Sequence, residues 1–260
     1  MSFSDASAVT AVSPHHYRAR VPDGWQQGRG AFGGLVLGTL LRAIEADAPG
    51  RPTRTLAGDL CGPVEPGDAD IRVVELRRGN NQTNVAATLT QRDVVLASAT
   101  AVLSAPRAVA APPFAPAAPP SSSWRDVPVM ARDLAAVPRF TQHYDYRPLT
   151  APFVRSSEPT IEGFIGEREP LGRLDAPAMI GRLDAWWPTL FALDGQPRPV
   201  ATISFVAEIL VDPATLPPEE PLRYRARLAA LHDGFFVELR ELWHGERVVA
   251  LNQQTFAILR

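Results

Sequence analysis

Two adjacent glycines, Gly33 and Gly34, stand immediately before an apolar run in the stretch GAFGGLVLGTLLRAIEA (30–46). In that run Leu35, Leu37, Leu40, Leu41 and Ile44 lean to one side at helical spacing, which predicts a helix from Leu35 to Ala46. The first turn of a helix carries unpaired N–H groups and a partial positive charge. With no side chains at that entrance, an oxygen of a ligand can come close to the amides. The alternative is mechanical: the glycines only let the chain turn sharply and pack against its neighbours. Spacing alone leaves both readings open.

Other reactive side chains are sparse. The histidines His15, His16, His143, His232 and His244 include no i, i+4 pair, and no cysteine pair joins them, so no metal site is expected. Cys61 is the one cysteine; it cannot form an internal disulfide, fits a reducing compartment and reads as a small core residue rather than a nucleophile. There is no GxSxG elbow, no phosphate loop ending in GK[ST], and no GxGxxG after a strand. Asp59 and Glu208 interrupt apolar strands, where alternate positions can face solvent.

The elements that would position these residues come twice. HHYRARVP reads as a strand, the helix above follows, and the proline and glycine of APGRP end it. Four strand-like runs then alternate with short turns; Val85, Ala87 and Leu89 have the period of a half-buried strand. The second half repeats the plan. TIEGFIGERE reads as a strand. APAMIGRLDAWWPTLFAL reads as a helix from about Pro177 that Pro188 kinks or ends. VATISFVAEILV and three further strands follow, the first of them with Leu222, Tyr224, Ala226 and Leu228 alternating with Arg223, Arg225 and Arg227. Strands in sequence with tight turns give an antiparallel sheet, and one helix per sheet lets the sheet wrap around it. The fold class expected is α+β, two such units in tandem. The Pro-rich APRAVAAPPFAPAAPPSSS divides them, giving units at 1–105 and 126–260 with a linker at 106–125.

Composition is that of an ordinary globular chain: 260 residues, 45% hydrophobic, formal net charge -2. That charge excludes the strongly basic class of nucleic-acid binders. All the cationic residues are arginine, which fits a biased genome better than a binding device. The N-terminus has no basic start followed by a long apolar core, and no uncharged apolar run reaches the ~20 residues of a bilayer span. A cytoplasmic location is expected.

In order and spacing these segments resemble the tandem-hotdog acyl-CoA thioesterases of the bacterial acyl-CoA thioesterase II type. QGRGAFGGLVLGTLLRA (27–43) resembles that family's segment around the Phe-Gly-Gly before its first hotdog helix. PVEPGD (63–68) resembles its proline-glycine turn, and LRRGNNQTNVAATLTQRDVVLASATAVLSAP its arginine-glycine turn and last two strands. VATISFVAEILVDP and RVVALNQQTFAILR fall where the catalytic hotdog has matching strands. The resemblance implies a double hotdog that hydrolyses an acyl-CoA, or another acyl thioester, to acid and thiol, without a cofactor, in lipid metabolism. It places the thioester carbonyl at a helix N-terminus, where Gly34 would donate to the oxyanion, with Gly33 and Phe32 beside the substrate.

The family's water-orienting Asp, Thr and Gln come from the second hotdog. The Gln matches Gln254; the Asp position falls at Ser204 and the Thr position near Leu228. By this correspondence one member of three is kept in kind. Other hotdog thioesterases carry a carboxylate on the central helix. Arg42 stands near that place in the first helix and is no base, whereas Asp184 stands near it in the second. A buried Asp184 beside Trp186 and Trp187 would have a raised pKa and could act as general base; a solvated or capping Asp is the plainer reading. Trp187 is expected to touch the acyl group. The Arg223, Arg225 and Arg227 stripe reads as a solvated face, with contact to CoA phosphates as the alternative. A second function class is a degenerate hotdog that binds acyl thioesters or serves as a scaffold. A hotdog hydratase would need an Asp-x-Asn-Pro-x-His helix entry, which is absent. Pairing of sheet edges into a homo-oligomer is compatible with the fold.

Overall fold

The computed structural model describes the chain except for residues 111–113, 115, 121, 132, 134–136 and 260. Part of the expected linker therefore lies outside the described residues. The N-terminal half contains α1 (Phe3–Ala6), β1 (Val9–Ser13), β2 (His16–Val21), β3 (Gln26–Gln27), β4 (Gly30–Ala31), α2 (Gly33–Asp47), β5 (Thr53–Leu60), β6 (Gly67–Arg78), β7 (Gln82–Gln91) and β8 (Val94–Ser104). The C-terminal half contains β9 (Tyr144–Pro148), β10 (Thr160–Glu167), α3 (Ala176–Asp184), α4 (Leu190–Asp194), β11 (Val200–Ile209), β12 (Leu222–His232), β13 (Phe235–His244) and β14 (Arg247–Ile258).

One 12-stranded antiparallel sheet runs through both halves in the order β1-β2-β6-β7-β8-β5-β11-β14-β13-β12-β10-β9. The second six strands repeat the first six in mirrored order, so the halves meet at their equivalent strands, β5 and β11. At that seam Gly58 pairs with Phe205 and Asp59 with Ser204. This is the α+β double hotdog that the sequence implied, with two strands of the sheet rather than one ahead of each main helix. The alternation expected in β7 is present: Thr83, Val85, Ala87 and Leu89 are buried while their neighbours are partly exposed.

The helices α2 and α3 pack against the sheet, side by side and antiparallel. A Cβ at Gly34 would lie 3.1 Å from Gly181 Cα, and one at Gly38 would lie 3.1 Å from the Pro177 carbonyl. Glycine at these positions is what lets the two helix backbones approach. The second helix stops earlier than its apolar run. Asp175 caps its start, accepting from Ala178 N at 2.9 Å, with Pro177 in the first turn. It ends at Asp184, Pro188 interrupts, and a short second helix, α4, resumes at Leu190.

Three expectations need correction. Cys61 is exposed, just beyond the end of β5. Arg223 is not solvated: it is 4% exposed and pairs with Glu162 at 2.5 Å. The helix expected from Leu35 begins on the glycines themselves.

Candidate active site

The entrance of α2 lacks a side-chain cap, because its N-cap residue is Phe32. The cap comes from the other half of the molecule. Asp184, the last residue of α3, accepts from the Gly34 amide through Oδ2 at 2.6 Å. Its second oxygen, Oδ1, accepts from Gln254 Nε2 at 2.7 Å. A Cβ on Gly33 would lie 2.9 Å from Asp184 Oδ2, and one on Gly34 2.9 Å from Asp184 Cβ. The glycine pair is therefore required by close approach, and the partner is a carboxylate.

Strand register supplies the rest. In β13 the alternation Phe236, Glu238, Arg240, Leu242 faces inward, and Glu238 stands directly opposite Gln254 in β14. Arg240 Nη1 lies 3.9 Å from Asp184 Oδ1. Its guanidinium donates to Glu238 Oε2 through Nε at 2.9 Å and to the Leu183 carbonyl through Nη1 at 2.9 Å. Glu238 Oε1 in turn accepts from the Thr189 amide and hydroxyl at 2.5 and 2.7 Å. Asp184, Glu238 and Arg240 are 9%, 0% and 1% exposed. Two carboxylates thus face one buried cation, and Asp184 also takes the positive end of α2.

Burial pushes the Asp184 carboxyl above its usual range; Arg240, the Gln254 hydrogen bond and the Gly34 amide pull in the opposite direction. Tyr224, stacked on Trp186 at 5.1 Å, has its phenol raised by burial and stays neutral. Among the described residues, Gln254 Oε1, Tyr224 Oη and Trp186 Nε1 are buried and have no hydrogen-bond partner. Gln254 therefore presents an open acceptor beside the carboxylate it holds.

An aromatic series leads outward from this cluster. Trp187 is half-buried, 4.7 Å from Trp186 and 5.6 Å from the exposed Phe153 between ring centroids. Phe32 is buried at the mouth of α2 and stacks on Phe140 at 4.3 Å. Of the residues singled out from sequence, Gly33, Gly34, Asp184 and Gln254 come together, and Phe32 adjoins Gly34; Trp187 packs on Trp186, Tyr146 and Phe153. Ser204 does not join them. It precedes Phe205, which pairs with Gln254 and faces inward, so strand alternation turns Ser204 to the opposite face. Leu228 belongs to a small apolar cluster with Leu190, Phe236 and Phe256. Sequence reasoning missed Glu238 and Arg240; the signal was two charges on the inward parity of FFVELRELW.

Residues 21–104 match the family model described as the acyl-CoA thioesterase N-terminal domain, and residues 106–258 match that of the C-terminal domain. The chain belongs to the acyl-CoA thioesterase family. No curated protein sequence matches it. Its fold is that of a hot dog fold protein of unknown function from Alicyclobacillus acidocaldarius, at TM-score 0.90 and 23% identity over 99% of this chain and 98% of that one. It is also that of a candidate thioesterase II from Thermobifida fusca, at TM-score 0.86, 21% identity, and 99% and 97% coverage. The acyl-CoA thioesterase II TesB2 of Mycobacterium marinum aligns at TM-score 0.76 and 15% identity over 99% and 98%. No described helix of this thioesterase-family chain is long and apolar enough to cross a membrane.

Proposed function

We propose that the protein hydrolyses an acyl-CoA thioester at a single site built on Asp184, Gln254 and the entrance of α2. The observation that carries this reading is the buried, unpartnered Gln254 Oε1 beside a carboxylate that the same side chain holds at 2.7 Å. A water donating one hydrogen to Gln254 Oε1 and the other to Asp184 is oriented for attack. Asp184 takes a proton as the water oxygen bonds to the thioester carbon. The carbonyl oxygen becomes an oxyanion at the first turn of α2, where Gly33, the first helical residue, has an amide with no partner inside the helix. Collapse breaks the C–S bond, and the proton on Asp184 passes to the leaving sulfur. The products are the acid and free CoA.

This assignment moves the oxyanion contact from Gly34, whose amide serves Asp184, to Gly33. Phe32 and Trp187 flank the acyl group. Ser204 has no part in the step. The expected loss of water-orienting residues is less severe on this reading, because Asp184 supplies the carboxylate from α3. We also take 1–105 and 126–260 as the two repeats and 106–125 as their link, with the protein acting in the cytoplasm in lipid metabolism.

The test is thiol release from a panel of short, medium, long and branched acyl-CoAs. Release from at least one class supports hydrolysis. No release from any class, with acyl-CoA still bound, would leave the degenerate binding protein as the better reading.

A further inference from the structure

The buried charges beyond Asp184 call for an explanation of their own. Arg240 and Glu238 lie inside the sheet, fully covered, and neither is needed to fill space that leucine could fill. Replacing buried ion pairs by apolar side chains is often neutral or stabilising, so a fold gains little from keeping one. Here the pair is aimed. Glu238 is fixed on one side by the Thr189 amide and hydroxyl at the start of α4. On the other side it takes Arg240 through Nε and Nη2, at 2.9 and 2.8 Å. The Leu183 carbonyl, one residue before Asp184, takes Nη1. These anchors leave Nη1 3.9 Å from Asp184 Oδ1, close enough for a strong field but outside hydrogen-bond reach. The carboxylate's two hydrogen bonds remain those of Gln254 and Gly34.

We propose that Arg240 is a positioning residue for the reaction: tethered by Glu238 and the Leu183 carbonyl, it holds Asp184 in its charged form without occupying the oxygens that water and Gln254 use. The proposal rests on the reading of Asp184 as the base. A lone buried carboxylate would protonate at neutral pH and lose its ability to take a proton. A direct Arg–carboxylate fork would fix the charge but fill the acceptor sites. A cation held at 3.9 Å by a second carboxylate does the first without the second.

The groups facing Asp184 can be named element by element. From β13 come Arg240 and Glu238; from β14 comes the neutral Gln254; from α2 comes the Gly34 amide. From β12 and β9 come Tyr224 and Tyr144, both with phenols raised by burial and neutral. Arg182 on α3 is committed to Glu167 on β10, at 2.5 Å. Arg240 faces Asp184 directly and Glu238 competes for Arg240, so neutralising one or the other should move Asp184 in opposite directions. A purely structural role for the pair does not produce such a reversal.

The experiment reads the ionisation of Asp184 directly, by carbon NMR titration of the full-length protein labelled at the aspartate carboxyl carbon, with Asp184→Asn to assign the signal. In Arg240→Gln the midpoint should rise by about one pH unit or more. In Glu238→Gln, where Arg240 keeps its charge and loses its competing anion, the midpoint should fall. In Arg240→Lys it should lie between wild type and Arg240→Gln. The acid limb of kcat/KM should move with each midpoint. An unchanged midpoint in Arg240→Gln, or a shift of the same sign in the two neutralising variants, overturns the proposal. If Arg240→Gln does not fold, Glu238→Gln and Arg240→Lys decide it by the same signs. A protein that shows the shifts but releases no thiol refutes the hydrolase reading and leaves the role of Arg240 in charging Asp184 intact.

Discussion

Gln254 donates to Asp184 at 2.7 Å, although the two residues stand 70 positions apart, one on the last strand and the other at the end of the second central helix. The Gly34 amide reaches the same carboxylate from the other half of the molecule, 150 positions away. The proposed site therefore draws on both halves of the chain. The first half contributes a helix entrance and the second contributes the side chains, so neither half alone holds the proposed set.

Substituting Gln254 tests both of its roles, the bond to Asp184 and the open acceptor. Gln254→Ala removes both the bond to Asp184 and the open acceptor, and kcat should fall on the order of 100-fold with a smaller change in KM. Gln254→Glu keeps the shape but sets a second carboxylate against Asp184. Like charges resist ionisation together, so the acid limb of its pH profile should move upward. Steady-state kinetics across pH measures both.

The wild-type pH profile has a definite sign. Burial raises the Asp184 pKa above its ordinary value of 3.8. The base must be ionised to work, so kcat/KM should rise with pH through a midpoint above that value. A plateau extending below about pH 4, near the ordinary aspartate value, would mean that another group takes the proton.

The close approach of the helices sets a packing prediction. Gly34→Ala places a methyl within 2.9 Å of Asp184 Cβ and 3.1 Å of Gly181 Cα. It should cost about 1–3 kcal/mol in urea unfolding, as overpacked sites do. Gly172, where an added methyl would meet nothing within 4 Å, is the matched control and should change little on substitution by Ala.

Water attack and attack by Asp184 itself differ in the first turnover. With enzyme in excess and heavy-oxygen water as solvent, a positioned water puts the label into the acid at once. A mixed anhydride on Asp184, opened by water at the aspartyl carbon, would deliver an unlabelled carboxylate oxygen to the first product and leave the label on Asp184. Mass spectrometry of the acid should show the label.

The fold was legible because its signals are local and repeated. Period-two runs such as Val85, Ala87 and Leu89, the proline and glycine stops, and the twofold order of helix and strands all survive in the structure. The site was legible only in part. Gly33, Gly34, Asp184 and Gln254 could each be named, but their meeting depends on the antiparallel contact of α2 with α3, which no local pattern encodes. Ser204 lies on the outer face, and correspondence along a strand does not say which face a residue takes. Glu238 and Arg240 are not legible in the sequence, since charge on a strand normally means solvent and here both side chains are buried.

The measurement that bears most directly on the account is thiol release by Asp184→Asn, set beside its thermal unfolding and its affinity for a non-hydrolysable acyl-CoA. The amide keeps the size of the side chain but cannot take a proton. In this variant kcat should fall by at least about 100-fold with folding and binding retained. Activity within a few-fold of wild type would contradict it.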